Sequence, residues 1–283
     1  MTPVVAIIAP GAMGAAVGRR LVDHGLTVLT SLAGRSQATA ARAKGAGMAD
    51  ANDKEIAAAD FILSILPPGD ALALATRFAP ALRASNSKPV YVDCNAINPK
   101  TVERVAAALA PTGCAFVDGG IIGSPPKPGD TGPRFYASGP AAAQFARLRD
   151  YGLDIRLLHG ALSAASALKM SYAGITKGTQ AIGAAMMLAA MRSGSADDLF
   201  AELDSSQKQL FPWLKRQLEL MPPKAYRWVA EMHEIADFVG DDPGARDLYR
   251  GAAEFYQRFA DDFEGGDKNE AAALEKFLGK GTA

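Results

Sequence analysis

The chain has 283 residues, more than most single domains contain, and this length favours two domains or one large domain with a helical annex. Its 30 Lys and Arg residues balance its 30 Asp and Glu residues and form no marked basic run, so a nucleic-acid partner is not expected. The two cysteines, Cys94 and Cys114, are too few for a disulfide scaffold or a structural zinc site.

Composition also bears on the compartment. The low cysteine content fits a reducing environment. The first residues show no basic segment followed by a cleavage site, and the apolar run at 181–191 is much shorter than a membrane span. We therefore expect a soluble cytoplasmic protein with no membrane partner.

The first half of the chain alternates short apolar segments with helix patterns. Segments rich in Val, Ile, Leu and Phe predict buried strands at 4–9, 27–32, 61–66, 90–95 and 114–120. Alanine-rich amphipathic stretches predict helices between them, at 13–24, 36–45, 70–78 and 100–109. Two weaker strands are predicted at 134–139 and 154–159. The alternation is typical of an α/β protein with a doubly wound parallel sheet of the Rossmann type.

The strand signal stops near residue 160, and the rest of the chain reads as all-α. Periodicity predicts one long interdomain helix over 163–194, followed by helical stretches at 196–220, 224–237 and 244–262. The tail from Gly265 is expected to be loosely ordered. The predicted domains are therefore 1–160, an α/β domain, and 161–283, an all-helical domain.

The sequence APGAMG, residues 9–14, lies between the first predicted strand and the first predicted helix. It matches the G-x-G-x-x-G dinucleotide-binding fingerprint with alanine in the first glycine position. In this motif Gly11 lets the backbone approach a pyrophosphate and Gly14 lets the helix pack closely on the strand. The amides of the helix N-terminus, at Ala12 and Met13, attract negative charge. The alternative is a plain strand-to-helix turn.

The identity of the dinucleotide depends on the residues after the second predicted strand. An acid there binds a ribose 2′-hydroxyl, whereas an arginine meets a 2′-phosphate. No acid occurs between Thr27 and Asp50, while Arg35 and Ser36 stand where a phosphate clamp is expected. NADP is therefore favoured over NAD. The alternative is that Ser36 caps the next helix and Arg35 is a solvated loop residue.

Several segments together resemble the 6-phosphogluconate dehydrogenase and β-hydroxyacid dehydrogenase superfamily: GAMG, FILSILPPGDAL, VDCNAINPKTVERVAAAL, FVDGGIIGSPP and ALKMSYAGITKG. The resemblance implies a nicotinamide-dependent enzyme that uses no metal and oxidises a hydroxyl β to a carboxylate, or runs the reverse reaction. It also implies that 1–160 binds the dinucleotide and that 161–283 binds the substrate and forms a homodimer. Leu66, Pro67 and Asn95 are further candidate cofactor-binding residues. Asn95 ends its strand near the expected position of the nicotinamide; the alternatives are that it binds the ribose or the substrate, or that it only terminates the strand.

The segment KMSYAG resembles KMVHNG of the phosphogluconate enzymes and places Lys169 at the position of the catalytic lysine. The family asparagine is Ala173 here and the family glutamate is Thr176, so decarboxylating chemistry is not expected. Tyr172 replaces the family histidine and is a candidate either to make the lost hydrogen bond or to donate a proton. The alternative for Tyr172 and Lys177 is an ordinary packing or helix-surface role. Lys177, two helical turns after Lys169, is a candidate anion-binding residue.

The superfamily's substrate loop, D-x-P-V-S-G-G, corresponds here to residues 118–124, DGGIIGS. The serine that contacts the substrate carboxylate is replaced by Ile122, which implies a less polar substrate than a sugar acid. Backbone amides at Gly120 and Gly123 can still hold a carboxylate, and Ser124 can supply a displaced hydroxyl.

His233 falls roughly where β-hydroxyacid dehydrogenases carry a second lysine, and it is a candidate substrate-binding residue. Glu231 and Glu234 lie beside it in sequence, but adjacent positions on a helix diverge, so a metal site is not expected.

The predicted function is an NADP-dependent oxidoreductase acting on a small hydroxy acid or its carbonyl form. The alternatives are an imine reductase of the same architecture and a catalytically silent NADPH-binding sensor.

Overall fold

The computed structural model describes residues 2–266 and 268–279. The chain divides into two compact units, Met1–Met170 and Ser171–Ala283, called unit 1 and unit 2 below. The assignment of a cofactor role to 1–160 and of a substrate and dimerisation role to 161–283 stays a prediction.

Unit 1 is built on one eight-stranded sheet. Its strands are β1 Val4–Ile8, β2 Thr27–Thr30, β3 Ala49–Asp50, β4 Phe61–Ser64, β5 Val90–Asp93, β6 Phe116–Ile122, β7 Arg134–Ser138 and β8 Asp154–Leu157. The strand order is β3-β2-β1-β4-β5-β6-β7-β8, and every pairing is parallel except that of β6 with β7. The predicted Rossmann-type sheet is confirmed, and so are its two weaker strands, now β7 and β8.

Helices connect these strands and cover both faces of the sheet. They are α1 Ala12–Asp23, α2 Gln37–Gly45, α3 Asp53–Ile56, α4 Ala71–Ala84, α5 Pro99–Leu109 and α6 Ala142–Phe145. One buried cluster includes Ile7, Leu21 and Val92, and the other includes Ile8, Phe78 and Tyr91. Alternate residues of β1 thus enter different cores, as expected for a strand buried on both faces.

Helix α4 extends beyond its predicted end at residue 78 because it continues through Pro80 to Ala84. Its apolar side, which includes Phe78, Ala79 and Leu82, is buried. Packing along this side outweighs the one backbone hydrogen bond that Pro80 cannot donate. The two-residue strand β3 and the one-turn helices α3 and α6 are too short to produce a periodic signal.

The remaining helices are α7 Ala164–Ser193, α8 Ala196–Ser206, α9 Leu210–Glu219, α10 Ala225–Phe238, α11 Pro243–Glu264 and α12 Asn269–Leu278. The long helix predicted over 163–194 is confirmed. Within unit 2, α10 packs along α11, and Trp228 meets Tyr256 edge-on at 5.2 Å between ring centroids. None of the helices in the described residues is both long enough and apolar enough to span a membrane.

The expectation of a loosely ordered tail from Gly265 is wrong for the described residues, because α12 lies there. Leu274 and Phe277 are buried, and Phe277 packs against Phe200 with ring centroids 5.9 Å apart. The Asp262 carboxylate accepts the backbone N–H groups of Glu270 and Ala271, at 2.9 and 3.1 Å, and so caps the helix. Residues 267 and 280–283 of the same prediction lie outside the described residues.

Candidate active site

The fingerprint sequence forms the turn between β1 and α1. A Cβ on Gly14 would lie well inside contact distance of the Ala9 carbonyl oxygen and 3.3 Å from Ile7 Cγ2. Only glycine fits there, because the first turn of α1 rests directly on the end of the strand. At Gly11 a Cβ would have no atom within 4 Å, so this backbone borders open space.

The N-terminus of α1 is suited to an anion. Its N-cap residue, Gly11, gives no side-chain hydrogen bond to the helix, and the first turn, which contains Ala12 and Met13, holds no acid. Helix N-termini of this kind attract phosphate through their amides and the helix dipole. The residues present therefore fit the pyrophosphate of a dinucleotide, as the fingerprint predicts.

The loop between β2 and α2 is a tight turn. The Arg35 backbone N–H donates to the Leu32 carbonyl oxygen at 3.0 Å, and Gly34 takes φ +71°. Ser36 is the N-cap of α2, since its Oγ accepts the Thr39 N–H at 3.3 Å, which confirms the capping interpretation. The Arg35 side chain is exposed, which fits both the predicted phosphate contact and the solvated-loop alternative.

Three charged residues that the sequence analysis did not single out also reach this region. Asp50, at the end of β3, accepts the Leu32 backbone N–H at 2.9 Å, so an acid lies beside the loop after β2. Arg42 Nη1 donates to the Pro10 carbonyl oxygen at 3.3 Å. Arg77 Nη2 donates to Ser31 Oγ at 3.3 Å and pairs with Asp53. The pairing of β2 with β3 is the signal that would have revealed Asp50.

Asn95 follows β5 and is buried, and both polar atoms of its side chain form hydrogen bonds. Its Nδ2 donates to Ser64 Oγ at 2.8 Å, and its Oδ1 accepts the Leu66 backbone N–H at 2.5 Å. Asn95 therefore joins the ends of β4 and β5 and fixes the segment that contains Leu66 and Pro67. Its cofactor contact stays a prediction.

Two buried carboxylates face each other across the β5–β6 ladder, where Asp93 pairs with Asp118. Burial raises the pKa of Asp93 to about 7, and the Asp118 charge contributes to the rise. Burial also raises the pKa of Asp118, while hydrogen bonds from Ser166 and Ser138 oppose that rise. Asp93 Oδ2 has no hydrogen-bond partner within the described parts of the chain.

The predicted substrate loop begins inside β6 and continues into the connection to β7. Ile122 is half-buried, and Ser124 is exposed. Gly123 has φ +129°, a conformation that side chains rarely adopt. The connection is held to α1 by Arg20, whose Nη2 donates to the Asp130 carbonyl oxygen at 2.9 Å and pairs with the Asp130 carboxylate at 2.6 Å.

Lys169 lies in the second turn of α7, beside the glycines of β6. A Cβ on Gly120 would be 3.4 Å from Lys169 Cβ and 2.9 Å from the Ala165 carbonyl oxygen. The lysine side chain is partly buried. Unit 1 thus brings the predicted catalytic lysine and the predicted substrate loop together, although 49 residues of sequence separate Lys169 from Gly120.

Unit 2 contains the three other candidates. Tyr172 is 49% exposed. Lys177 forms an ion pair with the buried Glu231 carboxylate, and its Nζ lies 5.2 Å from the Trp228 ring centroid. His233 is exposed and lines a surface cleft with Glu254 and Asp261. The substrate roles of these residues stay predictions, and the ion pair gives Lys177 a structural role.

Comparison with known proteins shows what this chain is similar to. Residues 4–150 match the family model described as the NAD binding domain of 6-phosphogluconate dehydrogenase. Residues 190–259 match a domain of unknown function, DUF1932. An uncharacterised 28.5 kDa protein of Methanothermus fervidus is 27% identical over 186 residues, which are 65% of this chain and 70% of that protein.

Several solved structures are also similar to this chain. A conserved protein of unknown function, reported to resemble 3-hydroxyacid dehydrogenases, is 26% identical with TM-score 0.71, over 96% of this chain and 99% of that one. A Mycobacterium tuberculosis 3-hydroxyisobutyrate dehydrogenase is 21% identical with TM-score 0.69, over 98% and 99%. An imine reductase from a Pseudomonas species is 18% identical with TM-score 0.56, over 98% and 100%. The last two likenesses show a shared fold.

Proposed function

The chain belongs to the family defined by the NAD binding domain of 6-phosphogluconate dehydrogenase, and from this membership we propose that it is an NADP-dependent oxidoreductase. Its reaction transfers a hydride between NADP(H) and a small hydroxy acid or its carbonyl form. The observation that carries the proposal is the placement of Lys169 beside Gly120 in the unit that holds the fingerprint turn.

In the proposed reaction a bound nicotinamide supplies or accepts the hydride at the substrate carbon. Lys169 Nζ donates a proton to the carbonyl oxygen during reduction and takes it from the hydroxyl during oxidation, so the charge on that oxygen is neutralised as it develops. Backbone amides near Gly120 and Gly123, with the exposed Ser124 hydroxyl, hold the substrate carboxylate. Ile122 presents an apolar side chain, which favours a substrate with an alkyl or aryl group.

A panel of small keto and aldehyde acids, aryl ketones and cyclic imines, followed by NADPH absorbance, tests this assignment. Turnover of carbonyl substrates that is lost in Lys169→Met supports the proposal. Carbonyl turnover that survives the substitution contradicts the role of Lys169. Turnover of imines alone favours the imine reductase alternative, whose fold this chain shares. Tight NADPH binding with no turnover of any substrate favours the sensor alternative.

The preference for NADP rests on Arg35, which is exposed on the loop after β2, and on Ser36 at the following helix N-terminus. Against it stands Asp50, whose carboxylate lies beside the same loop. Titration of NADPH and NADH into the wild type, Arg35→Ala and Asp50→Asn separates the two cofactors. NADP specificity requires that Arg35→Ala weakens NADPH binding and leaves NADH binding unchanged. Weaker NADH binding in Asp50→Asn, with no effect of Arg35→Ala, would instead assign NAD.

We also propose that a second copy of the chain is a partner, through the exposed face of α7. Tyr172, Ile175, Ile182 and Met186 recur at helical spacing and are 49%, 69%, 52% and 58% exposed. An apolar stripe of this kind is typical of an interface. Light scattering should give a dimer for the wild type and a monomer for Ile182→Asp. A wild-type monomer would contradict the proposal.

A further inference from the structure

We propose that Asp118 is a positioning residue for the reaction, because its buried carboxylate fixes the first turn of α7 and thereby places Lys169 against the substrate loop. The inference rests on the proposed function, in which Lys169 transfers the proton. It concerns residues of unit 1 only. Asp118 itself is fully buried and does not reach open space, so it acts through the helix and not on the substrate.

The carboxylate receives hydrogen bonds from the start of α7. The Ser166 backbone N–H donates to Asp118 Oδ2 at 2.8 Å, and Ser166 Oγ donates to Asp118 Oδ1 at 2.6 Å. Both carboxylate oxygens are therefore held by one residue of the helix. Hydrogen bonds to a charged acceptor are shorter and stronger than neutral ones, and an anion at a helix N-terminus also gains from the helix dipole.

A second connection runs through Ser138, which pairs with Asp118 across the β6–β7 ladder. Ser138 Oγ lies 3.2 Å from Asp118 Oδ2 and 2.8 Å from the Leu162 carbonyl oxygen. Ser138 Oγ also accepts the Ala165 backbone N–H at 2.9 Å. Adjacent strands thus hold residues 162, 165 and 166, which are the end of the preceding loop and the first turn of the helix.

This attachment determines where Lys169 lies. Ser166 and Lys169 are three residues apart, and Ala165 and Lys169 are four apart, so all three share one helix face. That face meets Gly120, where a Cβ would approach both the Ala165 carbonyl oxygen and Lys169 Cβ. The glycine allows the close contact, and Asp118, two residues earlier on the same face of the strand, holds the helix in it.

The expected effect is on the chemical step. A displacement of about 1 Å between reacting groups lowers rates about 100-fold, so a loosened first turn should reduce kcat while leaving the fingerprint turn intact. We expect Asp118→Asn to lower kcat about 10- to 100-fold with little change in the NADPH dissociation constant. Ser166→Ala, which keeps the backbone N–H bond, should cause a smaller loss.

The decisive measurement is a double-substitution cycle with Lys169→Met, run at an enzyme concentration high enough to measure the residual kcat of that variant on a substrate that the wild type turns over. If Asp118 acts through Lys169, Asp118→Asn lowers kcat in the wild type and has no further effect in the Lys169→Met background. Equal losses in both backgrounds would overturn the inference but leave the role of Lys169 standing. Unchanged kcat in Asp118→Asn would overturn it as well.

A second measurement does not depend on activity. Hydrogen exchange of peptides covering residues 162–171 should become faster in both variants. Asp118→Asn replaces the charged acceptor of the Ser166 N–H by a neutral one, and Ser166→Ala removes the hydroxyl bond to Asp118. Thr112→Ala is the matched control, because Thr112 is equally buried in unit 1 and its Oγ1 donates to the Leu109 carbonyl oxygen at 2.6 Å. It should leave both exchange at 162–171 and kcat unchanged. Unaltered exchange in a folded Asp118→Asn would overturn the inference even for a protein without detectable turnover.

Discussion

Replacement of Asp93 by asparagine should make the stability of unit 1 less sensitive to pH. Asp93 is buried at the end of β5, where Asn95 donates one backbone N–H to its Oδ1 at 2.9 Å. Burial and the facing Asp118 raise its pKa from 3.8 to about 7, and Tyr91 and Cys94 are the other titratable groups beside it. Asparagine keeps the shape and the acceptor oxygen and removes the charge.

The direction of the effect follows from where the proton binds more tightly. Because the folded pKa lies above the unfolded one, the folded state holds the proton through a range in which the unfolded state has lost it. The free energy of unfolding therefore falls as pH rises through this range. A rise of about three units corresponds to a total loss of about 4 kcal/mol above the folded pKa. About 2 kcal/mol of this loss falls between about pH 5.5 and about pH 8.

Scanning calorimetry at these two pH values tests the prediction. It is preferable to tryptophan fluorescence because both tryptophans, Trp213 and Trp228, lie in unit 2. The melting temperature of Asp93→Asn minus that of the wild type should increase by about 4–8 °C from the lower to the higher pH. Asp150→Asn, which alters an exposed carboxylate of unit 1, should show no such change. A difference that stays constant or decreases would refute the reasoning.

The disturbance of a close contact should also be measurable at Gly14, Lys177 and Arg20. Gly14→Ala should lower the free energy of unfolding by about 1–3 kcal/mol, as overpacking does, whereas Gly11→Ala should melt like the wild type and only weaken NADPH binding in a titration. Matching melting curves for the two variants would contradict the close packing at Gly14. Lys177→Met should cost about 3–5 kcal/mol, read by Trp228 fluorescence, because it removes the cation from the buried Glu231 carboxylate. The double variant with Glu231→Gln should recover part of this loss, and no recovery would argue against the ion pair. Arg20→Ala should speed hydrogen exchange over residues 123–133, which Arg20 holds through Lys127 and Asp130, and unchanged exchange would show that other contacts hold the loop.

Most of the fold could be predicted from local sequence patterns. The apolar segments of unit 1 and the small residues of the fingerprint are properties of short windows, and the structure places them as the windows indicate. The exceptions have local causes too. β3 has only two residues, and α4 passes through Pro80 since its buried side continues. α12 was missed because its three buried side chains lie among alanines and charged residues.

The site was less predictable because its contacts join distant parts of the chain. The motif resemblance pointed to Lys169, but nothing near it in sequence indicates that Asp118 holds its helix from 48 residues away. Lys177 was expected to bind an anion, and its pairing with Glu231, 54 residues away, depends on the packing of α7 with α10. Asp50 could be placed beside the loop after β2 only once β3 was known to pair with β2.

Isotopic labelling shows whether the protein transfers a hydride to a carbonyl carbon. The best carbonyl substrate of the panel would be incubated with NADPH deuterated at the transferable position, and the product analysed by mass spectrometry and NMR. The proposed reaction should leave one deuterium on the carbon that bears the new hydroxyl, and Lys169→Met should form no labelled product under the same conditions. Deuterium only on a carbon that bears nitrogen, or a product without deuterium, would contradict it.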